Sequence, residues 1–592
     1  MEYPTLYVKE KSRQMTDAFL GYNHNLRIAD GEFFDMKNLT SDYYPVLSPR
    51  KARGVYATPA KPNGLITKDA LCYVDGSKFV MNKYEYDLGL SDGPKQLVSM
   101  GAYVIIMPDK KYFNTKTEDR GDIEEHYTTS GAVSFQLCTV DGAAYENAAV
   151  QDTEPEKVDK ALWIDTSSTP HTLKQYSSVN STWVQIATTY VKITAVGSDI
   201  GERFKQYDGV TISGITINSL SDLNTATTIW SCDKDSIVVT GILDQATTQT
   251  TPICISRWMP KFDYLIESKN RLWGCFYGLP YMGKRYNTET GVTEDVYGEE
   301  AVNELYSCKL GDFTNWNCFM NLSTDSYVVS LGSDGQFTGA ITHHGYPCFF
   351  KENVLHKVYG DYPANYQVQE TVCRGVQKGC DKSLAIVNEV LYYKSRSGVC
   401  AYDGSLPEEV SYQFGSELYG QAVGGAHGNK YYISMKDAKD AHRLFVYDTA
   451  KGMWHKEDNL HVEAFCSCDS EMYAISGGKI ITMLGSGTKD TEPVEWMAQT
   501  GELMLSSPDM KYISRLTVRM ALDIGSQVDF YVQYDLSDEW EYISTMTGTS
   551  LRSFSVPIRP KRCDHMRLKI VGKGMGKIYS ITKTIEQGSD LS

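Results

Sequence analysis

The chain has 592 residues and a mass of 66.4 kDa, enough for roughly three or four domains, or for one large repeat-built body with additions. Its 42% hydrophobic and 22% charged residues exclude a disordered or collagen-like chain, and no apolar run approaches the ~18–20 residues of a membrane helix. The 58 basic and 74 acidic side chains leave a net charge of -16. That balance opposes a grip on nucleic acid but suits a surface past which DNA slides without sticking. The charge is uneven: residues 500–592 are net +1 and residues 1–499 net -17.

The N-terminus reads Met1-Glu2-Tyr3-Pro4, then Lys9, Glu10, Lys11 and Arg13. It has no hydrophobic signal core, so the expectation is against Sec export. Along the whole chain Asp-Gly occurs seven times, from 30–31 to 403–404. Set between alternating apolar runs, it is a strong hairpin signal, and long helical periodicity is nearly absent. The chain reads as all-β.

One unit recurs: an apolar strand, a polar turn, an aromatic-rich second strand, then shorter strands. The second strands begin around Leu71-Cys72-Tyr73-Val74 and Ala102-Tyr103-Val104-Ile105-Ile106. They continue as Arg271-Leu272-Trp273-Gly274, Tyr346-Pro347-Cys348-Phe349, Val390-Leu391-Tyr392-Tyr393, Lys430-Tyr431-Tyr432-Ile433 and Glu471-Met472-Tyr473-Ala474. Third strands lead on to Trp316 and Trp454. A four-stranded unit every ~40–45 residues is the length of a propeller blade; a β-sandwich with evenly spaced hairpins is the alternative. The reading is a β-propeller of about seven blades, with Trp273, Trp316, Tyr392, Tyr432, Trp454 and Tyr473 as blade-anchoring aromatics.

The domain boundaries follow. Residues 1–117 are read as the first part of the propeller. Residues 118–250, rich in Thr, Ser, Asp and Ala with scattered strand signals, form an inserted β-rich domain. Residues 251–490 complete the propeller, with a loop insertion at 283–302. Residues 491–592 alternate cleanly, as in Val528-Asp529-Phe530-Tyr531-Val532-Gln533-Tyr534, and make a C-terminal β-sandwich.

No P-loop, GxGxxG, HExxH, GxSxG or EF-hand pattern is present. His343-His344 would point to opposite faces of a strand, and Arg562-Cys563-Asp564-His565 reads as a turn. The 14 cysteines include no CxxC pair and mostly sit in apolar runs, as buried hydrophobes in a reducing compartment do. Cys466-Ser467-Cys468 could share a strand face but lacks further zinc ligands nearby. Ser333-Asp334-Gly335-Gln336-Phe337-Thr338 lacks the spacing and the Trp of the sialidase repeat. The expectation is therefore a protein that is not an enzyme and has no metal or cofactor.

Several segments resemble a known family. They are Asn25-Leu26-Arg27-Ile28, Gly31-Glu32-Phe33, Asp35-Met36-Lys37-Asn38-Leu39, and Asp42-Tyr43-Tyr44-Pro45-Val46-Leu47-Ser48-Pro49-Arg50. Together they resemble the opening of tail-hub or packaged-DNA stabilisation proteins of tailed phages and prophages. Asn270-Arg271-Leu272-Trp273-Gly274, the run Ser307-Cys308-Lys309-Leu310-Gly311-Asp312 ending at Trp316, and the sandwich from Trp496 are similar to that family's blades and C-terminal module. The resemblance covers about three quarters of the chain and excludes residues ~118–250.

It implies a virion structural protein of the tail, a hub, nozzle or stopper ring below the portal and adaptor, assembled in the bacterial host cytoplasm. It implies self-association in a ring, most often sixfold, contacts with portal, adaptor and other tail proteins, and packaged DNA passing through the lumen. The insertion leaves open whether the outer surface also carries tail fibres, and the DNA-facing residues stay unassigned. An alternative is a receptor-binding or polysaccharide-degrading tail propeller that meets glycans through Trp163, Trp183 and Tyr190. A host-type propeller scaffold for protein partners is a third.

Overall fold

The computed structural model describes residues 11–485, 488–489, 493–505, 510–535 and 537–587. Met1–Glu10 and the Ser486-Gly487 break before the sandwich lie outside the described residues, as does the 490/491 boundary. Nearly every element is a strand; among the described residues the helices are one four-residue α-turn and four short 3-10 turns.

Six sheets of four antiparallel strands and one of five follow one another, the repeating unit of a β-propeller. Blade 1 is Pro62–Lys68, Ala70–Asp75, Lys78–Met81 and Tyr84–Asp87; blade 2 runs from Gln96–Met100 to Arg120–Asp122. Blade 3 is Tyr264–Ser268, Arg271–Gly278, Val302–Ser307 and Tyr327–Ser330, and blade 4 runs from Gly339–His343 to Gln367–Val372. Blade 5 runs from Ala385–Val387 to Glu408–Glu409, and blade 6 from Tyr419–His427 to Met453–Lys456. Blade 7 has only three strands of its own, Ala464–Cys468, Glu471–Ser476 and Lys479–Thr482. Its fourth is Gly54–Ala57, which precedes blade 1, and Thr488–Lys489 pairs beyond it as a fifth.

All seven aromatic or cysteine positions aligned in the sequence lie on second strands. The turn that leads into each second strand explains the repeat. Each carries a left-handed residue: Asp69, Gly101, Asn270, Gly345, Glu389, Gly428 and Asp469 all have φ between 50° and 74°. Such turns match the twist of the strands they join. Asp-Gly marks a different hairpin, Asp75-Gly76, in blade 1.

The chain divides into two compact units, one of residues 1–94, 350–355 and 371–592, the other of 95–349 and 356–370. In the second unit, the domain inserted after blade 2 runs from Glu125 to Arg257, rather than 118–250. Arg120–Asp122 is still the outer strand of blade 2, and Cys254–Arg257 returns to pair with Glu125–Thr128. An eight-stranded and a four-stranded sheet share one core that includes Val133, Phe135, Ile164, Leu173, Ile193 and Ile237. The 283–302 stretch is an ordered hairpin, Tyr281–Tyr286 with Thr293–Tyr297, inside blade 3.

In the first unit, the C-terminal sandwich corrects the assignment of residues 1–117 wholly to the propeller. Lys11–Thr16 pairs antiparallel with Gly576–Gln587, and Glu32–Lys37 pairs with Glu495–Thr500. These N-terminal runs end in a sheet edge that only the far end of the chain supplies, a pairing no local pattern displays. One sheet has the order Lys11–Thr16, Gly576–Gln587, Lys511–Leu522, Arg552–Val556. The other has the order Gly21–Tyr22, Glu32–Lys37, Glu495–Thr500, Met566–Lys573, Gln527–Tyr534, Glu541–Thr547. Their inner faces meet at Leu516 and Ile581 of the first and Phe33 and Leu568 of the second.

Two glycines fix this module. Trp496 is 2% exposed and its Nε1 donates to the Gly574 carbonyl at 2.9 Å. The indole lies flat over Gly572, where a Cβ would stand 1.9 Å from the ring. Gly21, at φ 87°, brings the N-terminal strand against blade 6, where a Cβ would stand 2.3 Å from the Trp454 carbonyl oxygen. Gly572→Ala is expected to lower the stability of the sandwich by about 1–3 kcal/mol through overpacking, read as a reduced denaturation midpoint with an unchanged slope.

Candidate functional site

The first unit carries a polar cleft of about 800 Å³. Its floor is made by the first turns of blades 6 and 7, at 427–430 and 468–471, with Tyr432, Tyr473 and Asp448. Its wall is the segment from Thr40 to Lys51, which runs from the sandwich to blade 7. Tight turns position these side chains: the left-handed residues Gly428 and Asp469 hold Lys430 and Glu471 at the starts of their strands.

The charges of the cleft are engaged with one another. Lys430 Nζ donates to Asp42 Oδ1 at 2.5 Å and to Thr40 Oγ1 at 2.9 Å. Lys451 Nζ donates to Asp448 Oδ2 at 2.9 Å and to the Ser41 carbonyl at 3.0 Å, and Ser41 Oγ donates to the same Asp448 oxygen at 2.5 Å. Glu471 Oε1 accepts the backbone N–H groups of Met472, Met483 and Leu484.

Behind the wall lies a buried cluster. Arg53 donates to Glu457 Oε2 at 2.7 Å and to Asp458 Oδ2 at 2.6 Å. Arg50 stands 3.6 Å from Glu457 and 3.3 Å from Asp458. The side chains of Arg53 and Glu457 are each 8% exposed. In so dry a place an ion pair holds its geometry because either partner alone would be a stranded charge.

Protonation follows from these contacts. Burial alone would raise Asp42, Asp448 and Asp458, but the lysines and arginines and the donated hydrogen bonds more than offset it. All three lie below the usual carboxylate range. His455, on the outer strand of blade 6, is fully buried; desolvation, with the Lys430 charge, pushes its imidazole down to about 3. Carboxylates held ionised bind cations and N–H donors. The general acid of glycoside hydrolysis needs the opposite shift. What this cleft does is clamp the 38–53 segment to blades 6 and 7.

The sequence-nominated aromatics act as packing residues between blades. Trp454, fully buried, donates from Nε1 to the Val410 carbonyl at the end of blade 5 and packs on Phe414 at 4.7 Å. Tyr392 of blade 5 stacks on Tyr431 of blade 6 at 5.4 Å, and Tyr432 meets Phe465 of blade 7 at 6.4 Å. Tyr473 meets Tyr56 of the closing strand at 5.0 Å. In the second unit Trp273 packs edge-on against Tyr366 of blade 4 at 5.0 Å. Trp316 donates to the Phe313 carbonyl at 2.8 Å and lies 4.8 Å from Phe262. Only Tyr432 and Tyr473 also line the cleft.

Other nominated groups are placed as follows. Trp163 is 4% exposed, donates to the Gln151 carbonyl and packs against Trp183 at 5.4 Å, while Tyr190 packs on Trp230. Trp163 therefore presents no free ring to a sugar. His343 ends its strand and His344, at φ 51°, opens the turn, so their rings approach to 4.0 Å instead of diverging. Among the described residues no cluster of three His, Cys, Asp or Glu could hold a metal ion. The Cys563 and Cys466 thiols are pushed up to about 11 by burial, unlike activated nucleophiles.

What sequence reasoning missed is the ion cluster and one further surface. The outer face of the six-stranded sandwich sheet carries Tyr531, Trp540 and Tyr542 around Lys569, whose Nζ is 4.3 Å from the Trp540 ring and 5.7 Å from Tyr531. The signal was there, as every second residue of an alternating strand that is not core.

No family model matches the chain, and no curated protein matches it. Among solved structures it is similar to an acylaminoacyl peptidase of Pyrococcus horikoshii, at 10% identity and TM-score 0.22, over 62% of this chain and 56% of that one. The chain thus spans little more than half of that peptidase. It is also similar to an exo-β-1,3-galactanase of Phanerochaete chrysosporium, at 8% identity and TM-score 0.17, over 78% of this chain and 100% of that one. A third likeness is to a Trypanosoma rangeli sialidase, at 9% identity and TM-score 0.21, over 68% of this chain and 93% of that one. These findings correct the expectation that the chain is not an enzyme: the solved structures it is similar to are enzymes. At such TM-scores they assign it no reaction and no substrate.

The clamp has a measurable pH dependence. His455 binds protons more weakly folded than unfolded, so its contribution is fully present above its ordinary value of 6.5 and is lost as pH falls toward 3. Asp42, Asp448 and Asp458 add a second loss, below their ordinary 3.8. Protease protection of the 38–53 segment is expected to decline from about pH 6.5 downward. In His455→Gln it should stay flat until about pH 4. Arg53→Ala, which leaves Glu457 and Asp458 only the longer contacts to Arg50, is expected to cost about 3 kcal/mol at neutral pH.

Proposed function

We propose that the protein is a structural component of a phage tail, a hub, nozzle or stopper ring that retains packaged DNA and forms part of its exit channel. The observation that carries this reading is the way the first unit is fastened. The two ends of the chain share one sandwich, the closing strand of blade 7 precedes blade 1, and the segment between them is clamped by buried ion pairs. A body stitched at its ends resists being pulled open, which is the load on a part that holds pressurised DNA. The resemblance of residues 25–50 to tail-hub proteins points the same way. So does the acidity of residues 1–499, which suits a lumen that repels DNA. On this reading the partners are further copies in a ring, the portal or adaptor and neighbouring tail proteins, and the protein resides in the virion.

A second reading, a receptor-binding or polysaccharide-degrading tail propeller, is favoured by the partly exposed ring cluster around Lys569.

Electron microscopy of the purified protein and of particles containing it, averaged for rotational symmetry, separates the two. A ring on the tail axis, sixfold or of related order, is the expected outcome. Monomers, or copies at fibre tips, would overturn the tail-ring reading.

A further inference from the structure

The six-stranded sheet of the sandwich is ordered so that alternate residues of five neighbouring strands point away from the core. Phe530, Val532, Leu568, Ile570 and Ala498 are buried on its inner side. Across the outer side the register aligns one row: Asp35 opposite Gln499, Gln499 opposite Lys569, Lys569 opposite Tyr531, and Tyr531 opposite Tyr542. At the usual strand spacing this row is about 19 Å long. The next outward row is Lys37, Met497, Val571, Asp529 and Thr545.

Three rings gather at one end of this surface. Tyr542 is 57% exposed and meets Tyr531 edge-on at 5.6 Å. Trp540, in the loop before Tyr542, lies against the Lys569 ammonium from the other side. Partial burial among these groups, opposed by the Asp35 charge, shifts Lys569 below its ordinary value. Asp35 is in turn anchored by Lys456 of blade 6 at 2.7 Å, so the row ends against the propeller and opens toward Tyr542.

We infer that this outer face is a docking platform for a neutral, hexose-based polysaccharide. The occupant follows from the chemistry of the two rows. Their ten positions hold two cations, Lys569 and Lys37, and two carboxylates, Asp35 and Asp529, which sum to zero charge. A phosphate polymer needs a cationic surplus and would meet carboxylates in both rows. A neutral sugar presents hydroxyls that both donate and accept, matched by ammonium, carboxylate and the Gln499 amide. Its C–H faces pack on rings, and the three rings stand where the face is open.

The platform lies on the sandwich and includes neither Trp163 nor Trp183 of the inserted domain. It rests on the carbohydrate-facing reading above and gives that reading a location.

The test is affinity electrophoresis of the full-length protein through native gels containing mixed-linkage β-glucan, galactan or galactomannan, with alginate gels and a thymidine oligonucleotide as charged comparisons. Retardation by at least one neutral polysaccharide is expected. Its affinity should fall roughly tenfold in Trp540→Ala and in Tyr542→Ala, the loss of about one ring contact, and Trp183→Ala should match wild type. Unchanged melting of the two surface variants shows that they fold. Retardation that survives in both platform variants but is lost in Trp183→Ala overturns the platform and leaves the carbohydrate reading standing. No retardation in any neutral gel, or affinity for alginate or the oligonucleotide alone, overturns both.

Discussion

Three strand edges of the first unit are covered by strands from the far end of the chain, and that pairing organises the unit. A blade with three strands exposes a row of unpaired N–H and C=O groups, and so does a sandwich sheet that stops one strand short. Gly54–Ala57 fills the gap in blade 7, and Lys11–Thr16 and Glu32–Lys37 extend the two sandwich sheets. Each closing strand comes from the N-terminal sixty residues, and each partner lies more than four hundred residues away. The pairing is slow to form, because loop-closure entropy is spent before the contact is made. Once made, it leaves these ends no independent freedom.

The ion cluster follows from that constraint. The 38–53 segment has to cross from a sandwich strand to a blade strand over the turns of blades 6 and 7. An irregular segment lying on a protein surface satisfies its polar groups locally. Here Arg50, Arg53, Asp42 and Ser41 reach Glu457, Asp458, Lys430 and Asp448, each supplied by a strand end of blade 6 or by the turn and linker beside it. Burying charges in matched pairs gives the segment one geometry, since any sliding would strand a charge in a dry place. The cleft is a consequence of the crossing, and its carboxylates stay ionised because they anchor it.

The two faces of the sandwich differ in character. Its inner face is packed to the point that Gly572 has no room for a methyl group beside Trp496. Its outer face carries rings, amides and balanced charges that the core does not use. The fastening of the chain occupies the inner faces and edges, and the outer rows take no part in it.

The sequence by itself determined the all-β class, the seven second strands and the alternating character of the C-terminal module. These are local matters: a period of two, a left-handed turn and an aromatic at fixed distance act within one hairpin. Trp273, Tyr392, Tyr432 and Tyr473 were legible for that reason, and so was the insertion, by its change of composition. Tertiary structure alone decided that residues 11–37 belong with 495–587, that Gly54–Ala57 closes blade 7, and that the insertion spans 125–257. It alone set Arg53 against Glu457 and turned Trp163 inward while leaving Tyr542 outside. Strand register across hundreds of residues, and the choice of which alternate face meets solvent, depend on which edges remain open after the local hairpins have formed. That is a property of the assembled sheets and of no segment taken singly.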